Sequence, residues 1–392
     1  MESILLKDII QKPISGEWGL EDLYGTGIPV LRTANFTNEG IINFENVVTR
    51  NISPSKLKGK LLQKGDILLE KSGGSDRQPV GRVVYFDGQA DKYGFNNFTS
   101  ALRISDLTMW NPKYIFYALY ANYHHGGTRK YENKTTGLHN LKVDLFIRSF
   151  SVPYATLIKQ NEIVKKLDLL NHLENVCEVQ LQKLDELIKS RFIEMFGDLI
   201  NEPKYPGIKL GSLGVMITGG TPSRKHDEYY GGNIPFISTP CLGSNFISEK
   251  NVQNYLTEAG VKNSATHKIP PYSLMVGNRV GVGKSSINTC EMCTNQDILS
   301  FVDIDTSRFD LLFLKKVIDQ YSPYFDEHKR GATIQGVPSK VIKDSMVPDV
   351  PLEMQKRYTA LVKQSDKSKL AVQKSLDELE ILKKSLMQTY FG

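Results

Sequence analysis

The sequence has few cysteines, no long apolar run and, in two segments, neither proline nor glycine. Its 392 residues include four cysteines. Four cysteines are too few for the disulfide framework of small secreted domains, so a reducing cytoplasm is the expected location. No stretch of eighteen apolar residues occurs, which excludes a membrane span and a membrane partner. Charged residues are scattered through the apolar N-terminal residues, which argues against a signal peptide.

The two segments without proline or glycine, 157–196 and 352–391, are copies of one another. They align without a gap at an offset of 195 positions, and each is followed by a glycine after a final phenylalanine. Each copy carries a glutamine near its start, Gln160 in the first and Gln355 in the second. A repeat of about half the chain length indicates two structural copies and therefore a function that also comes in two copies.

Both copies are predicted to be long helices. Forty residues at a rise of ~1.5 Å each form a rod of roughly 60 Å, too long to be buried in one small domain. Apolar residues of the first copy follow the 4-3 spacing of a coiled coil, and those of the second are less regular. We expect the two helices to pair; core helices of an α-rich protein are the alternative. The predicted helix-pairing positions are Ile163, Leu167, Leu170, Cys177, Leu181, Leu184, Ile188, Val362, Val372, Leu376, Leu379 and Leu386.

Two charged residues fall at equivalent helix-pairing positions of the repeat, Glu174 and Lys369. A polar residue in such a position can fix the register of two helices at some cost in stability. We therefore predict that both residues help to set the register.

Short strands and turns are predicted outside the helices. Strands are expected at 28–31, 65–69, 81–86 and 101–104, and again at 234–237, 273–276 and 298–302. A helix should follow in each copy, at 112–122 and at 309–320. The predicted fold class is α+β, with tandem α+β domains at 1–152 and 201–347 and long helices at 153–200 and 348–392. Their loops differ far more than their strands, which suits two related surfaces with different ligands.

The excess of positive charge lies on the globular segments. The two helical segments together are neutral, whereas segment 1–152 carries +4 and segment 201–347 carries +2. These segments are therefore the ones expected to meet a polyanion.

Polar and basic residues of the kind that bind phosphates and base edges recur in two pairs of corresponding loops, and a third set, from Thr221 to Lys225, occurs only in the second copy. Taken singly, each is also compatible with a solvated loop charge. The candidates in the first copy are Lys71, Ser72, Arg77, Arg82, Arg129, Lys130, Lys134 and Asn140. Those in the second copy are Thr221, Ser223, Arg224, Lys225, Arg279, Lys284, Ser285, Lys329, Arg330, Thr333 and Gln335.

Three motifs resemble catalytic or metal sites but lack essential parts. Gly277–Ser286 ends in Gly-Lys-Ser, yet Asn278 replaces the first glycine of a phosphate-binding loop, so a basic hairpin loop is favoured. Ile269 precedes Pro-Pro-Tyr where an amino-methyltransferase needs a polar side chain, and no methyl-donor loop is found. Cys290 and Cys293 have no second pair at zinc-site spacing. We identify no catalytic residue and no metal ligand.

The chain resembles the specificity subunits of type I restriction–modification systems. The segments that carry the resemblance are 152–168, 183–198, 209–238 and 347–362, with the glycine-rich loop 71–83 and the segment 329–342. The sequence Pro153-Tyr-Ala-Thr-Leu157 departs from the Pro-Pro-Leu usual in the family.

The resemblance implies a non-catalytic DNA-recognition subunit. Two target-recognition domains would alternate with two long helices that pair as an antiparallel coiled coil, in a pseudo-twofold repeat. Each domain would bind one half of an asymmetric two-part site in double-stranded DNA. The expected partners are two adenine methyltransferase subunits and restriction subunits, which would hold S-adenosylmethionine, ATP and Mg²⁺, with none of these cofactors in this chain. The alternatives are a stand-alone DNA methyltransferase or nuclease, and a coiled-coil scaffold with no DNA role.

Overall fold

The structure is a computed structural model that describes residues 2–135, 138–331 and 335–392. It forms two compact units. The first comprises residues 1–178 and 374–392, and the second comprises residues 179–373. Each unit therefore combines one globular segment with parts of both long helices.

Ten helices are present in the described residues: α1 Leu6–Ile9, α2 Pro54–Leu57, α3 Pro112–His124, α4 Val143–Ser149, α5 Leu157–Phe196, α6 Glu258–Lys262, α7 Leu311–Gln320, α8 Ser322–Glu327, α9 Ser339–Lys343 and α10 Leu352–Phe391. Side-chain caps fix the starts of α3, α6 and α7, where Thr257 caps α6. The Asn111 side chain accepts hydrogen bonds from the first turn of α3, and Asp310 does so for α7. Because α5 and α10 contain neither proline nor glycine, each continues for forty residues.

The strands are short. Those of the first unit are β1 Ser3–Leu5, β2 Ile14–Ser15, β3 Leu20–Glu21, β4 Ile28–Leu31, β5 Val48–Asn51, β6 Ile67–Glu70, β7 Ser72–Gly74, β8 Val83–Tyr85, β9 Gly94–Phe95, β10 Thr99–Leu102, β11 Glu132–Thr135, β12 Leu138–Leu141 and β13 Ser151–Pro153. Those of the second are β14 Gly197–Asp198, β15 Glu202–Pro203, β16 Gly207–Lys209, β17 Val215–Thr218, β18 Tyr230–Ile237, β19 Phe246–Ile247, β20 Asn254–Leu256, β21 Lys268–Ile269, β22 Leu274–Gly277, β23 Ser285–Asn288, β24 Met292–Thr294, β25 Ile298–Val302 and β26 Met346–Pro348.

The main sheet of the first unit is covered on both faces, in the order β2-β10-β6-β8. Successive side chains of a strand point to opposite faces. In β6, Ile67 and Leu69 accordingly pack in the core that contains α3, whereas Leu68 packs in a second core with Leu31 of β4 and Phe95 of β9. The other sheet has the order β3-β5-β4-β9, with a parallel β4–β9 pair. Burial on both faces explains why β6 is apolar over three successive residues.

The second unit repeats this plan. Its main sheet has the order β17-β25-β22-β23-β19, and its other sheet has the order β20-β18-β24-β21, with β18 and β24 parallel. In β22, Leu274 and Val276 pack in the core that contains α7, and Met275 packs on the opposite face. Strands near the two ends of each globular segment also pair with each other, β1 with β13 and β16 with β26.

The two long helices run antiparallel within each unit. In the first unit, Glu174 of α5 pairs with Lys383 of α10, while Ile163, which lies closer to the start of α5, belongs to the same core as Phe391. In the second unit, Asp185 pairs with Lys369, while Phe196 packs edge-on against Tyr358. Residues later in α5 therefore contact residues earlier in α10, as antiparallel pairing requires.

The predicted helix-pairing positions are all wholly or partly buried. The buried ones are Ile163, Leu167, Leu170, Val362 and Leu376; the partly buried ones are Cys177, Leu181, Leu184, Ile188, Val372, Leu379 and Leu386. Glu174 and Lys369 each form an ion pair to the facing helix, with 2.6 Å between Glu174 Oε2 and Lys383 Nζ. The structure thus gives both charged residues an interhelical partner, as a role in setting the register requires.

A buried glutamine ties the start of α5 to the first globular segment. Gln160 is fully buried, and its Oε1 accepts a hydrogen bond of 2.8 Å from the backbone N–H of Asn111, the residue that caps α3. Its Nε2 donates to the carbonyl oxygens of Met109, at 3.0 Å, and Ala155, at 2.8 Å. The side chain therefore satisfies three backbone groups.

The equivalent glutamine of the repeat makes the equivalent bonds. Gln355 is fully buried, and its Oε1 accepts a hydrogen bond of 2.9 Å from the N–H of Asp310, which caps α7. Its Nε2 donates to Arg308 O at 3.1 Å and to Val350 O at 3.0 Å. The repeated sequence thus encodes a repeated junction between a long helix and a globular segment.

The predicted fold class is confirmed: tandem α+β segments alternate with two long helices that pair antiparallel, and the plan is repeated. Among the described residues, none of the helices has the length and apolar character needed to cross a membrane.

Candidate nucleic-acid interface

Two groups of candidate residues in the first unit are joined by backbone pairing. The glycine-rich loop contributes β7, and the segment after α3 forms the β11–β12 hairpin; together they make a three-stranded sheet in the order β11-β12-β7. Asn140 lies opposite Ser72, and the N–H of Leu141 donates to the carbonyl oxygen of Lys71 at 2.8 Å. Residues some seventy positions apart in the sequence thus share one surface.

The second unit has a smaller version of this backbone pairing between the glycine-rich loop and the segment after the main-sheet helix. Arg330 and Gly336 form an isolated antiparallel bridge, and the N–H of Val337 donates to Asn278 O at 2.7 Å. A Cβ atom at Gly336 would be 2.7 Å from Cγ of Arg279, so a glycine permits this close approach. Thr333 lies outside the described residues.

In the first unit, a groove of about 520 Å³ near this three-stranded sheet brings Arg77 and Arg129 together. Both arginines are exposed. Amide side chains complete the polar lining, with Gln78 Nε2 donating to Asn38 Oδ1 at 2.9 Å. We call this surface the first arginine groove.

The second arginine groove, of about 680 Å³, contains Arg279 and Arg330. Asn278, Gln296 and Thr218 also line it. Arg279 is 54% exposed, and its Nη1 lies 3.6 Å from Asp297 Oδ1, so one carboxylate orients this guanidinium without burying it. In each unit, therefore, an arginine of the glycine-rich loop and an arginine after the main-sheet helix line one groove.

The Thr-Gly-Gly-Thr-Pro-Ser loop of the second copy begins at the groove residue Thr218 and also forms a hydrogen bond to a second groove residue. The hydroxyl of Thr221 donates to Oε1 of Gln296, a groove residue. Ser223, Arg224 and Lys225 are exposed on the same loop, where Ser223 Oγ accepts the N–H of Lys225 at 3.3 Å.

The other candidates have local partners or open surroundings. Lys71 donates to Ser15 Oγ at 2.9 Å, and burial lowers the pKa of its ammonium group. Lys130 Nζ lies 5.1 Å from the centroid of the Tyr131 ring. Lys329 pairs with Asp326 at 2.5 Å. Gln335 is exposed. Lys134 belongs to β11, and its side chain lies outside the described part of the structure.

Two candidates form hydrogen bonds to buried or partly buried groups of the chain itself. Arg82 donates to both carboxylate oxygens of Glu70, at 2.9 and 3.1 Å, and to the carbonyl oxygens of Phe36 and Thr33. Glu70 is 1% exposed, so this guanidinium neutralises a buried charge. Ser285 is fully buried on β23, and its hydroxyl donates to Asp319 Oδ1 at 3.1 Å.

Arg82→Ala is expected to lower the free energy of unfolding by about 3 kcal/mol, because it leaves the Glu70 carboxylate buried without its partner. Arg77→Ala, at an exposed site of the same loop, should change stability by less than ~0.5 kcal/mol. Urea unfolding of both variants measures the difference. Wild-type stability of Arg82→Ala, together with weaker DNA binding, would restore Arg82 as a DNA contact.

The structure also shows the surroundings of the three motifs that resemble catalytic or metal sites. A strand, β23, follows the Gly-Lys-Ser sequence, so the helix N-terminus that a phosphate-binding loop requires is not formed there. Lys268–Ile269 is a strand that ends at the Pro-Pro pair. Cys293 is fully buried, and burial raises the pKa of its thiol to about 11. Within the described ranges, no group of three or more His, Cys, Asp or Glu residues is placed to hold a metal ion.

The groove residues that sequence reasoning missed are amide side chains from separate segments: Asn38, Gln78, Asn278 and Gln296. Only their residue types offered a signal, since Asn and Gln are the usual partners of adenine. Pairing of distant strands brings them to the arginines.

Family comparisons agree with this architecture. A family model described as the type I restriction modification DNA specificity domain matches residues 205–380. The type I restriction enzyme MjaIX specificity subunit of Methanocaldococcus jannaschii is 26% identical over 155 residues, which are 39% of this chain and 36% of that protein. The type I restriction enzyme HindI specificity subunit of Haemophilus influenzae is 29% identical over 124 residues, 32% of this chain and 27% of that protein. The matched stretches span about a third of these relatives.

Two solved structures share the fold. One comes from work on complex assembly and conformational transition of the type I restriction–modification system; it matches with a TM-score of 0.61 at 15% identity, covering 100% of this chain and 97% of that chain. The other is the S subunit of a type I system from M. genitalium, with a TM-score of 0.59 at 13% identity and coverage of 100% and 96%. By the family model and the two relatives, the chain is similar over part of its length to type I restriction–modification specificity subunits, and the two solved structures share its fold.

Proposed function

We propose that this chain is the sequence-specific DNA-recognition subunit of a type I restriction–modification complex. The observation that carries the proposal is the recurrence of an arginine groove in each unit. A guanidinium can donate two hydrogen bonds to guanine O6 and N7 in the major groove, and an Asn or Gln amide can do the same for adenine N6 and N7. Exposed arginines beside amide side chains therefore supply the chemistry of direct base recognition.

The two grooves differ in the residues that surround their arginines. The first contains His124, His125 and Gln78, whereas the second contains Thr218 and Gln296. Different donors and acceptors select different bases. We therefore infer that the recognised DNA site has two unlike parts, one for each unit, and that the paired helices set the spacing between them.

The chain would act without its own catalytic residues. The partners we propose are double-stranded DNA, two adenine methyltransferase subunits and, in the full complex, restriction subunits, in the cytoplasm. S-adenosylmethionine, ATP and Mg²⁺ would be bound by those partner subunits. A methyltransferase reaches its target base by flipping it out of the stack, so the recognition subunit must hold distorted DNA. A stand-alone methyltransferase or nuclease would need residues for chemistry that the sequence does not provide.

Exchange of residues 201–347 for the same segment of a relative tests this proposal. Strands β16 and β26, which lie near the two ends of this segment, pair with each other, so the exchange leaves the ends of the insert together. We expect one half of the methylated site to change while the other half and the spacer stay the same. Sequencing of methylated DNA from cells with the chimeric subunit and its methyltransferase gives the result, and a change in both halves would refute independent recognition. As a control, the purified chain alone should not methylate DNA.

A further inference from the structure

The second unit contains a cleft that is separate from the second arginine groove and that includes two of the predicted DNA-binding residues, Lys284 and Ser285. It has a volume of about 630 Å³, and four lysines line it: Lys284, Lys315, Lys316 and Lys369. These residues come from the glycine-rich loop, from α7 and from α10. We call it the lysine cleft. Lys284, which the sequence grouped with Arg279, lines this cleft and not the second arginine groove.

The cleft has fewer carboxylates than ammonium groups. Asp319 alone serves two lysines, with Lys315 Nζ 2.7 Å and Lys316 Nζ 3.3 Å from its Oδ2. Lys315 is 3% exposed, and burial lowers the pKa of its ammonium group. The remaining acids of the lining are Asp185, which pairs with Lys369, and Asp366, which accepts a hydrogen bond from the amide of Asn245. One positive charge is left over.

Lys284 is the lysine available to a ligand. It is exposed, and no ion pair to it is present in the described part of the chain. Its backbone is fixed, because its carbonyl oxygen accepts the N–H of Gly277 at 2.8 Å, and the N–H of Gly283 donates to Gly277 O at 2.9 Å. The glycines at 281 and 283 have φ of 69° and 77°, which permits this tight loop. The hydrogen-bonded loop thus presents an exposed ammonium group.

The corresponding cleft of the first unit has the opposite character. It has a volume of about 330 Å³, and four glutamates line it, Glu39, Glu174, Glu178 and Glu380, with two lysines, Lys383 and Lys384. Glu174 is the repeat equivalent of Lys369, and Glu380 is that of Asp185. Glu174 and Lys369 carry opposite charge at the same place on the scaffold, whereas Glu380 and Asp185 are both acidic, so a lysine at the place of Lys369 is not a requirement of the fold.

The lysine cleft adjoins the second arginine groove through one short loop. Arg279 lies two residues beyond Gly277, whose N–H is bonded to Lys284 O, so the Cα atoms of Arg279 and Lys284 are within roughly 15 Å of each other. A duplex presents a phosphate every ~3.4 Å along each strand. A strand that meets the groove can therefore also reach the cleft.

We propose that the lysine cleft binds backbone phosphates of the DNA that flanks the half-site recognised by the second unit. The inference rests on the proposed DNA-recognition function and adds to it a contact without sequence preference, on one side of the site. The first unit, with its glutamate-lined cleft, would make no such contact.

The salt dependence of DNA binding tests the inference. Each phosphate contact contributes about −0.9 to the slope of log affinity against log salt concentration. For the complex with its methyltransferase subunits, Lys284→Gln should reduce the slope by about 1, so that the affinity lost between 50 and 200 mM salt is roughly three- to four-fold smaller. The recognised sequence should not change. Lys384→Gln, the same substitution in the first unit's cleft, is the matched control and should leave the slope unaltered.

The possible outcomes separate the two proposals. If the wild-type complex does not prefer a two-part site, the proposed function fails. If it does, and Lys284→Gln keeps the wild-type slope, only the lysine cleft inference fails. Calorimetric titration with inorganic phosphate at constant ionic strength distinguishes the source of the anion. Phosphate binding that Lys284→Gln abolishes, combined with an unchanged DNA slope, would assign the cleft to a free phosphate and overturn the DNA contact.

Discussion

Replacement of Gln355 by leucine is expected to lower the free energy of unfolding of the second unit by about 3 to 5 kcal/mol. The leucine side chain would leave the N–H of Asp310 and the carbonyl oxygens of Arg308 and Val350 without their hydrogen-bond partner. A buried polar group that loses its partner costs about 1 to 3 kcal/mol. Leucine is close to glutamine in size, so the loss would come from the unmet hydrogen bonds and not from a cavity.

Guanidinium unfolding of Gln355→Leu and of the equivalent Gln160→Leu provides the measurement. Each substitution should weaken the unit that contains it. Lys356→Ala changes the next residue of α10, which is exposed, and should stay within ~0.5 kcal/mol of the wild type. A loss below 1 kcal/mol in both glutamine variants would mean that the junction tolerates other partners for these backbone groups.

Removal of both arginines from the second groove is expected to abolish recognition of one half of the DNA site. A bidentate arginine–guanine contact contributes about 1 to 3 kcal/mol of discrimination, so Arg279→Ala with Arg330→Ala should cost about 2 to 6 kcal/mol. Both side chains are exposed, and the Arg279 ion pair with Asp297 is long at 3.6 Å, so folding should be little affected.

Competition binding with DNA sites altered in one half at a time would show the effect. The double variant should no longer distinguish sequences in the half-site of the second unit, while discrimination in the other half stays at the wild-type level. Arg77→Ala with Arg129→Ala is the matched variant in the first unit, with the reverse expectation. Uniform weakening across all sequences would indicate that these arginines contact phosphates and not bases.

Much of the fold could be predicted, because the same pattern of strands and helices occurs in both halves of the sequence. The predicted helices 112–122 and 309–320 correspond to α3 and α7, and α7 begins two residues late because Asp310 caps it. The apolar strand at 65–69 corresponds to β6, Ile67–Glu70. Local patterns sufficed here, since periodicity and capping are properties of neighbouring residues.

The candidate site was less predictable, because the charge of a side chain does not reveal whether that side chain points into the protein or towards solvent. Arg82 and Arg77 belong to one loop, yet Arg82 turns inward to Glu70 while Arg77 is exposed. One signal was available: Glu70 ends the apolar strand β6, and an acid in a buried strand needs a cationic partner. For Lys284 and Arg279, which line different surfaces of one loop, no local pattern distinguishes the two directions.

The packing of the end of α10 into the core of the first unit has a consequence for synthesis of the chain. Leu386, Met387, Tyr390 and Phe391 pack in the core of that unit, where the Phe391 ring lies 5.1 Å from that of Tyr114. At 5 to 20 residues per second, the ribosome needs roughly 10 to 40 seconds to proceed from residue 178 to residue 386. During that interval the nascent first unit exposes the apolar surface that these residues will cover. A stop codon that removes only the last turns of α10 would therefore damage the unit made first and increase its exposure to proteases and aggregation.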